Sequence, residues 1–185
     1  MNANLLNRAI VFATKAHAGQ FRKGTPLPYI VHPLEALSIV ATMTDDTEMM
    51  AAAVLHDVVE DTAASIEEIR REFGGRVAEL VAVDTNAPRT PDSTWRSRKQ
   101  AAMDRLAAAP YDGKVVAMGD KLSNLRAIAI DYSKHGEGLW KRFKAPGGRD
   151  DIAWYYRGLA SSLSELKDTA AYHEYLTLLD KTFEK

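Results

Sequence analysis

The sequence predicts an all-α protein built as a single domain, on three observations. Apolar residues recur at helical spacing along most of the chain, no stretch shows the strict alternation of a half-buried strand, and Gly, Pro and Ser/Thr clusters interrupt the periodic runs at helix-length intervals. The 185 residues suffice for one sizeable core, since a domain of about 150 residues removes roughly 70% of its unfolded surface from water. No repeat, low-complexity tract or linker divides the chain. Residues 1–185 are therefore read as one helical bundle of roughly eight to ten helices.

Each element follows from local signals. Leu6, Ile10, Ala13 and His17 share one face of a helix over residues 4–18 that stops at Gly19, and GQFRKGTPLPY then has the composition of a basic loop. Pro33 suits a first helical turn, so a helix is expected over PLEALSIVATM with His32 at its mouth. TEMMAAAVLHDVVED, residues 47–61, reads as the next helix. Ser65 with Glu68 makes a capping-box pattern ahead of SIEEIRREFG, and GGRVAELVAV continues helically. DTNAPRTPDST, residues 84–94, breaks the pattern with two prolines and is expected to flank a site. TWRSRKQAAMDRLAAA resumes it, KVVAMGDKLSNLRAIAIDYSKHG reads as one long helix, KAPGGRD as a loop, and the remainder as two helices.

Composition excludes several classes. Apolar residues at 46% and charged residues at 26% are ordinary for a globular protein. A net charge of −1 and a pI near 6.5 give no general pull toward nucleic acid or acidic lipid, so any phosphate site must be local. Without cysteine there are no disulfides, thiolate metal sites or cysteine nucleophiles. MNANLLNRAIVFATKAHAG lacks the layout of a signal peptide, and no run approaches the ~20 apolar residues that span a bilayer. A cytoplasmic protein without membrane or nucleic-acid partners is expected.

The motif HDVVED carries the chemistry. His56 and Glu60 are four apart, as are Asp57 and Asp61, so in a continuous helix the four share one broad face. Unpaired burial of these groups would cost several kcal/mol per ion, and a bound cation is the economical compensation. His56 and Asp57 would be ligands, with His32 and Asp120 as candidates on other helices. Two imidazoles and two carboxylates suit manganese, iron or zinc. Glu60 and Asp61, one turn on, are placed to activate water for attack on phosphorus, or else to tune the ligands. Asn124, four after Asp120, could bond a substrate hydroxyl or a water.

The pattern H…HD…D resembles the HD-domain metal phosphohydrolase superfamily. GQFRKGTPLPYIVHPLE, AAAVLHDVVEDT and GDKLSNLR resemble, in order, three segments of the hydrolase domain of RelA/SpoT-type proteins and of free-standing small alarmone hydrolases. The resemblance is clear over residues 5–130 and thin in the last third. It implies a manganese-dependent pyrophosphohydrolase, with another divalent metal possible, that removes the 3′-diphosphate of guanosine tetra- or pentaphosphate to leave GDP or GTP. It assigns metal binding to His32, His56, Asp57 and Asp120, water activation to Glu60 and Asp61, and nucleotide contacts to Arg22 and Lys23. A chain of this length is expected to be the hydrolase-only form.

Several positions depart from that pattern. Ser123 stands where a His or Tyr is expected, Gly119 replaces an alanine, Ala127 stands where threonine is frequent, residues 81–94 diverge, and Asp151 stands three before Trp154 where tyrosine is common. These bear on base recognition and substrate identity. Competing substrates are adenosine alarmones and NADPH, dephosphorylated at its 2′-phosphate; a non-enzymatic nucleotide-binding protein is the other class. Arg22 and Lys23 can also be read as solvated loop charges, and Arg96, Arg98 and Lys99 equally as a phosphate-facing cluster or a charged helix face. Trp154, Tyr155 and Tyr156 are read as core, and His17, His135 and His173 as structural.

Overall fold

A computed structural model of the chain describes residues 3–84 and 93–184. Among them are helices α1 (Ala3–Ala16), α2 (Val31–Val40), α3 (Thr47–Leu55), α4 (Val58–Asp61), α5 (Ile66–Phe73), α6 (Gly75–Asp84), α7 (Trp95–Ala108), α8 (Tyr111–His135), α9 (Arg149–Ser162) and α10 (Ala170–Phe183). Two 3-10 segments, Gly136–Arg142 and Ser164–Leu166, flank α9. The all-α class is the one expected, and a single isolated bridge, Phe21 to Pro28, is the only strand-like pairing among the described residues. No described helix is long and apolar enough to cross a membrane.

Helix starts follow side-chain caps. The Asp46 carboxylate accepts from the Glu48 and Met49 amides at α3, and the Ser65, Thr94 and Thr169 hydroxyls do the same for α5, α7 and α10. At Ser65 this is the cap expected from the sequence. α2 begins at Val31, two residues ahead of Pro33, which puts His32 inside the first turn.

The expected helix over 47–61 is not continuous. α3 ends at Leu55, Asp57 takes φ −91° and ψ −7° in the bridge region, and α4 restarts at Val58 for a single turn. The stretch keeps helical spacing, so nothing in its pattern reveals the break. Local bonds hold the restart: the Asp61 amide donates to the Asp57 carbonyl at 2.9 Å, and the Thr62 hydroxyl to the Val58 carbonyl at 2.7 Å.

α8 is the central strut, packed against α2, α3, α6 and α10. Its inward face carries Val115, Met118, Leu122 and Leu125, each no more than 1% exposed, and burying such side chains contributes about 1.5–3 kcal/mol apiece. Gly119 sets the approach of α8 to α2: a Cβ there would stand 2.7 Å from the Ala36 carbonyl oxygen and 2.8 Å from Val40 Cγ2. The departure from alanine at 119 thus has a packing reason.

Gly119→Ala is the test. Alanine gains about 1 kcal/mol of helix propensity, whereas overpacking against a backbone oxygen costs about 1–3 kcal/mol. A net loss of stability in urea denaturation is expected, and a stabilised variant would contradict the tight approach.

Candidate metal centre

Three separate elements converge on one point. α2 supplies His32, the α3–α4 break supplies His56 and Asp57, and α8 supplies Asp120. His32 Nε2 lies 3.4 Å from Asp57 Oδ2 and 3.0 Å from Asp120 Oδ1; His56 Nε2 lies 3.0 Å and 3.4 Å from the same two oxygens. Ligand atoms about 2.1 Å from a shared ion stand about 3.0 Å apart at octahedral and about 3.4 Å apart at tetrahedral angles. The four imidazole–carboxylate distances therefore match those between neighbouring ligands of a divalent cation. His32, His56 and Asp57 form a group whose ligand atoms all lie within 4.8 Å of one another, and Asp120 joins it through its contacts to the two imidazoles.

The donor chemistry fits as well. His56 Nδ1 lies 2.8 Å from the Ala53 carbonyl, which can only accept, so Nδ1 carries the proton and Nε2 a lone pair in the neutral ring. That Nε2 is buried and makes no hydrogen bond despite the nearby carboxylates. Burial opposes charge on His56, but the Asp57 and Asp120 carboxylates outweigh it and hold the imidazole well above its ordinary value. Burial likewise opposes charge on Asp120, and the Lys121 ammonium with the two imidazoles holds its carboxyl well below the usual range. Asp57 is lowered too, against burial, chiefly by His56.

Glu60 and Asp61 do not share the buried face that a continuous helix would give them. Both are exposed, on α4 at the mouth of a 330 Å³ chamber that also contains His32, Asp57 and Asp120. Tyr29 bridges ligand and mouth: its hydroxyl stands 2.6 Å from Asp57 Oδ2 and 2.9 Å from Asp61 Oδ2. Burial first, then both carboxylates, push this phenol far up, so it stays a donor. Gln20 holds the Asp61 carbonyl at 2.8 Å and His17 Nδ1 at 2.8 Å, which ties buried His17 to the site's scaffold.

A second chamber of 580 Å³ adjoins the first, sharing Tyr29, Asn124 and Tyr156 with it. Its walls include Leu27, Ile128, Leu139 and Phe143, with Arg22 and Lys23 at its edge. The 19–29 loop folds back on itself, the Arg22 amide donating to the Leu27 carbonyl at 2.8 Å and the Tyr29 amide to the Gln20 carbonyl at 2.9 Å. Arg22 then donates to Asn124 Oδ1 at 3.0 Å, while Asn124 Nδ2 donates to Asp120 Oδ1. Lys23 Nζ is held by the Arg142 carbonyl at 2.9 Å. Asn124 thus stands on the partition, linked to both sides.

Of the basic cluster on α7, only Lys99 faces the metal chamber, beside Arg105 and Lys121. Burial, then Lys121, lowers the Lys99 ammonium, which sits 4.4 Å from the Tyr155 ring centroid. Arg96 stacks on Trp154 at 4.4 Å, and Arg98 donates to the Ser93 carbonyl at 2.6 Å. Tyr155 and Tyr156, read as core, are buried and also line the chamber; Trp154 does not line it. The Asp151 carboxylate, in the first turn of α9, accepts from the Gly147 amide of the preceding loop at 2.8 Å. Lys99 was one of three basic residues the sequence offered as a phosphate-facing cluster, whereas Tyr29 and Arg105 were not singled out as site residues; for Tyr29 the available signal was its place three residues before His32. The expected site-flanking break over 84–94 falls largely on residues 85–92, outside the described residues.

With this geometry in hand, a family model described as HD domain matches residues 9–146. The chain is a member of the HD-domain family. This HD domain is 36% identical over 124 residues to the guanosine-3′,5′-bis(diphosphate) 3′-pyrophosphohydrolase of Haemophilus influenzae, covering 64% of the chain and 18% of that relative. It is 34% identical over 131 residues to the protein of the same name from Aquifex aeolicus, covering 70% and 18%. The chain therefore spans under a fifth of the length of these curated relatives. Among solved structures, lmo0812 from Listeria monocytogenes EGD-e superposes with a TM-score of 0.73 at 30% identity, over 83% of this chain and 99% of that one. A metazoan ortholog of SpoT that hydrolyses ppGpp shares the fold, with a TM-score of 0.75 at 24% identity over 96% and 94% of the two chains.

The raised His56 value has a measurable consequence. Without metal, His56 keeps its proton to higher pH than an ordinary histidine, and a metal must displace that proton to bind. Affinity should therefore rise with pH through the raised value, by about tenfold per unit for one displaced proton, and level off above it. Metal titrations at a series of pH values read this directly, and a pH-independent affinity would exclude His56 from the ligand set.

Proposed function

We propose that this HD domain is a metal-dependent pyrophosphohydrolase acting on guanosine 3′-diphosphates, with His32, His56, Asp57 and Asp120 holding a divalent ion, manganese by preference. The observation that carries this reading is the pair of adjoining chambers, one lined by metal-ligating and cationic side chains and the other apolar with a basic edge. A nucleotide with one diphosphate at the 3′ position and another at the 5′ position has that same division, and the H. influenzae and A. aeolicus relatives carry the matching name.

A divalent ion in the ring would supply a Lewis acid for the scissile phosphate and for water. The protein's own groups do the rest. Glu60 and Asp61, at the chamber mouth, take the proton of the attacking water. Water adds to the phosphorus attached to the ribose 3′-oxygen, the bond to that oxygen breaks, pyrophosphate leaves, and the 3′-oxygen takes up a proton. Tyr29 holds Asp61 in register with Asp57 through its shared hydroxyl contacts. Lys99, Lys121 and Arg105 offset the charge of the departing pyrophosphate.

The second chamber takes the nucleoside. Arg22 presents a planar guanidinium able to stack on a base, 5.8 Å from the Tyr29 ring, and Lys23 offers a point charge to phosphate. Asn124 reaches the sugar between the two chambers.

The deciding experiment follows manganese-dependent pyrophosphate release from guanosine and adenosine tetraphosphates side by side, with phosphate release from NADPH and His56→Ala as control. Turnover of the guanosine compound, abolished in the control, is expected; turnover of only another substrate would overturn the guanosine identity, and metal binding without any turnover would leave a binding protein. Glu60→Gln and Asp61→Asn should each lower kcat by about 10²–10⁴-fold with metal content unchanged. Unchanged kcat in both would remove water activation from that pair.

A further inference from the structure

His32 is oriented differently from His56. His56 donates to a backbone carbonyl, which no substitution alters, whereas His32 Nδ1 lies 2.8 Å from the Ser123 hydroxyl. The Ser123 hydroxyl donates onward to Glu35 Oε2 at 2.7 Å. A hydroxyl has one proton and the carboxylate only accepts, so that proton points to Glu35 and Ser123 must accept from His32 Nδ1. The His32 lone pair is thereby left on Nε2, the atom facing Asp57 and Asp120. The other Glu35 oxygen, Oε1, accepts from Arg126 at 3.0 Å, and Arg126 is clamped at 2.6 Å and 2.7 Å by both oxygens of Glu174 on α10.

The arrangement is built by spacing on two helices. His32 and Glu35 are three apart on α2, and Asp120 and Ser123 are three apart on α8, so each helix presents one ring member and one relay member on the same side. The close approach at Gly119 brings the two pairs together. Ser123 is 1% exposed.

We infer that Ser123 and Glu35 form a positioning relay, anchored by Arg126 and Glu174, that locks His32 in its metal-binding tautomer and sets the protein's metal affinity. The inference rests on the metal centre proposed above and adds residues that touch neither metal nor substrate. Outer hydrogen bonds of this kind raise the basicity of an imidazole ligand as well as fixing its ring, and their loss weakens metal binding about 10–100-fold.

The test titrates manganese into the full chain stripped with EDTA, reading the dissociation constant by indicator competition and by the electron paramagnetic resonance of free manganese. Ser123→Ala should bind about tenfold more weakly or worse. Glu35→Leu should do the same without stranding Arg126, which keeps both Glu174 bonds. Circular dichroism of the metal-free forms separates this from loss of fold, and Glu35→Leu, at a half-exposed site, carries the test if Ser123→Ala does not fold. Parent-like affinity in Ser123→Ala and Glu35→Leu overturns the relay alone; a parent that binds no manganese overturns the metal centre and the relay with it.

Discussion

Two imidazoles, each 3.0–3.4 Å from both of two carboxylates and largely buried with them, are costly unless a cation or strong hydrogen bonds compensate them. The bundle around them is arranged to make that crowding possible. α8 must come close enough to α2 for Asp120 to reach His32, and the missing Cβ at Gly119 permits it. Lys121 and Asn124 then donate to Asp120, and Tyr29 donates toward Asp57, so each carboxylate is held by a neighbour outside the ring. The site is a junction of three helical elements, and its geometry depends on their packing.

The break at Asp57 separates two tasks within one short motif. His56 stays buried as the continuation of α3, while Glu60 and Asp61 swing to the mouth of the chamber on the single turn of α4. A continuous helix would bury the second pair with the first, at several kcal/mol per unpaired ion. Exposed at the mouth, Glu60 and Asp61 stay in reach of water and of a substrate. The partition residues Tyr29, Asn124 and Tyr156 join this charged chamber to an apolar one, which gives a ligand with both charged and aromatic parts two unlike, adjoining surroundings.

Much of this was legible in the sequence where spacing within one helix carried it. Asp120 and Asn124, four apart, do lie together, and Ser65 does cap α5. The helix break was not legible, because Val58 and Val59 preserve the apolar period across it and the bridge-region backbone at Asp57 leaves no mark in composition. Nor was the sorting of α7: Arg96, Arg98 and Lys99 look alike as a charge run, yet Trp154 and Ser93 occupy the first two and only Lys99 turns inward. Asp151, a departure from the family pattern, lines neither chamber and instead ties the loop at Gly147 to the first turn of α9.

By itself the sequence determined the helical class and the order of the elements and offered candidates for metal ligation, because periodicity, capping chemistry and ligand type are properties of short segments. Only the tertiary structure decided that Tyr29 bridges two carboxylates 28 and 32 positions away and that Ser123 meets Glu35 across 88 positions. The same holds for Asn124 on the wall between two chambers. Those contacts depend on how closely and at what rotation helices pack, and that is set by van der Waals fit between elements distant in the chain, of which Gly119 against Ala36 is the clearest instance.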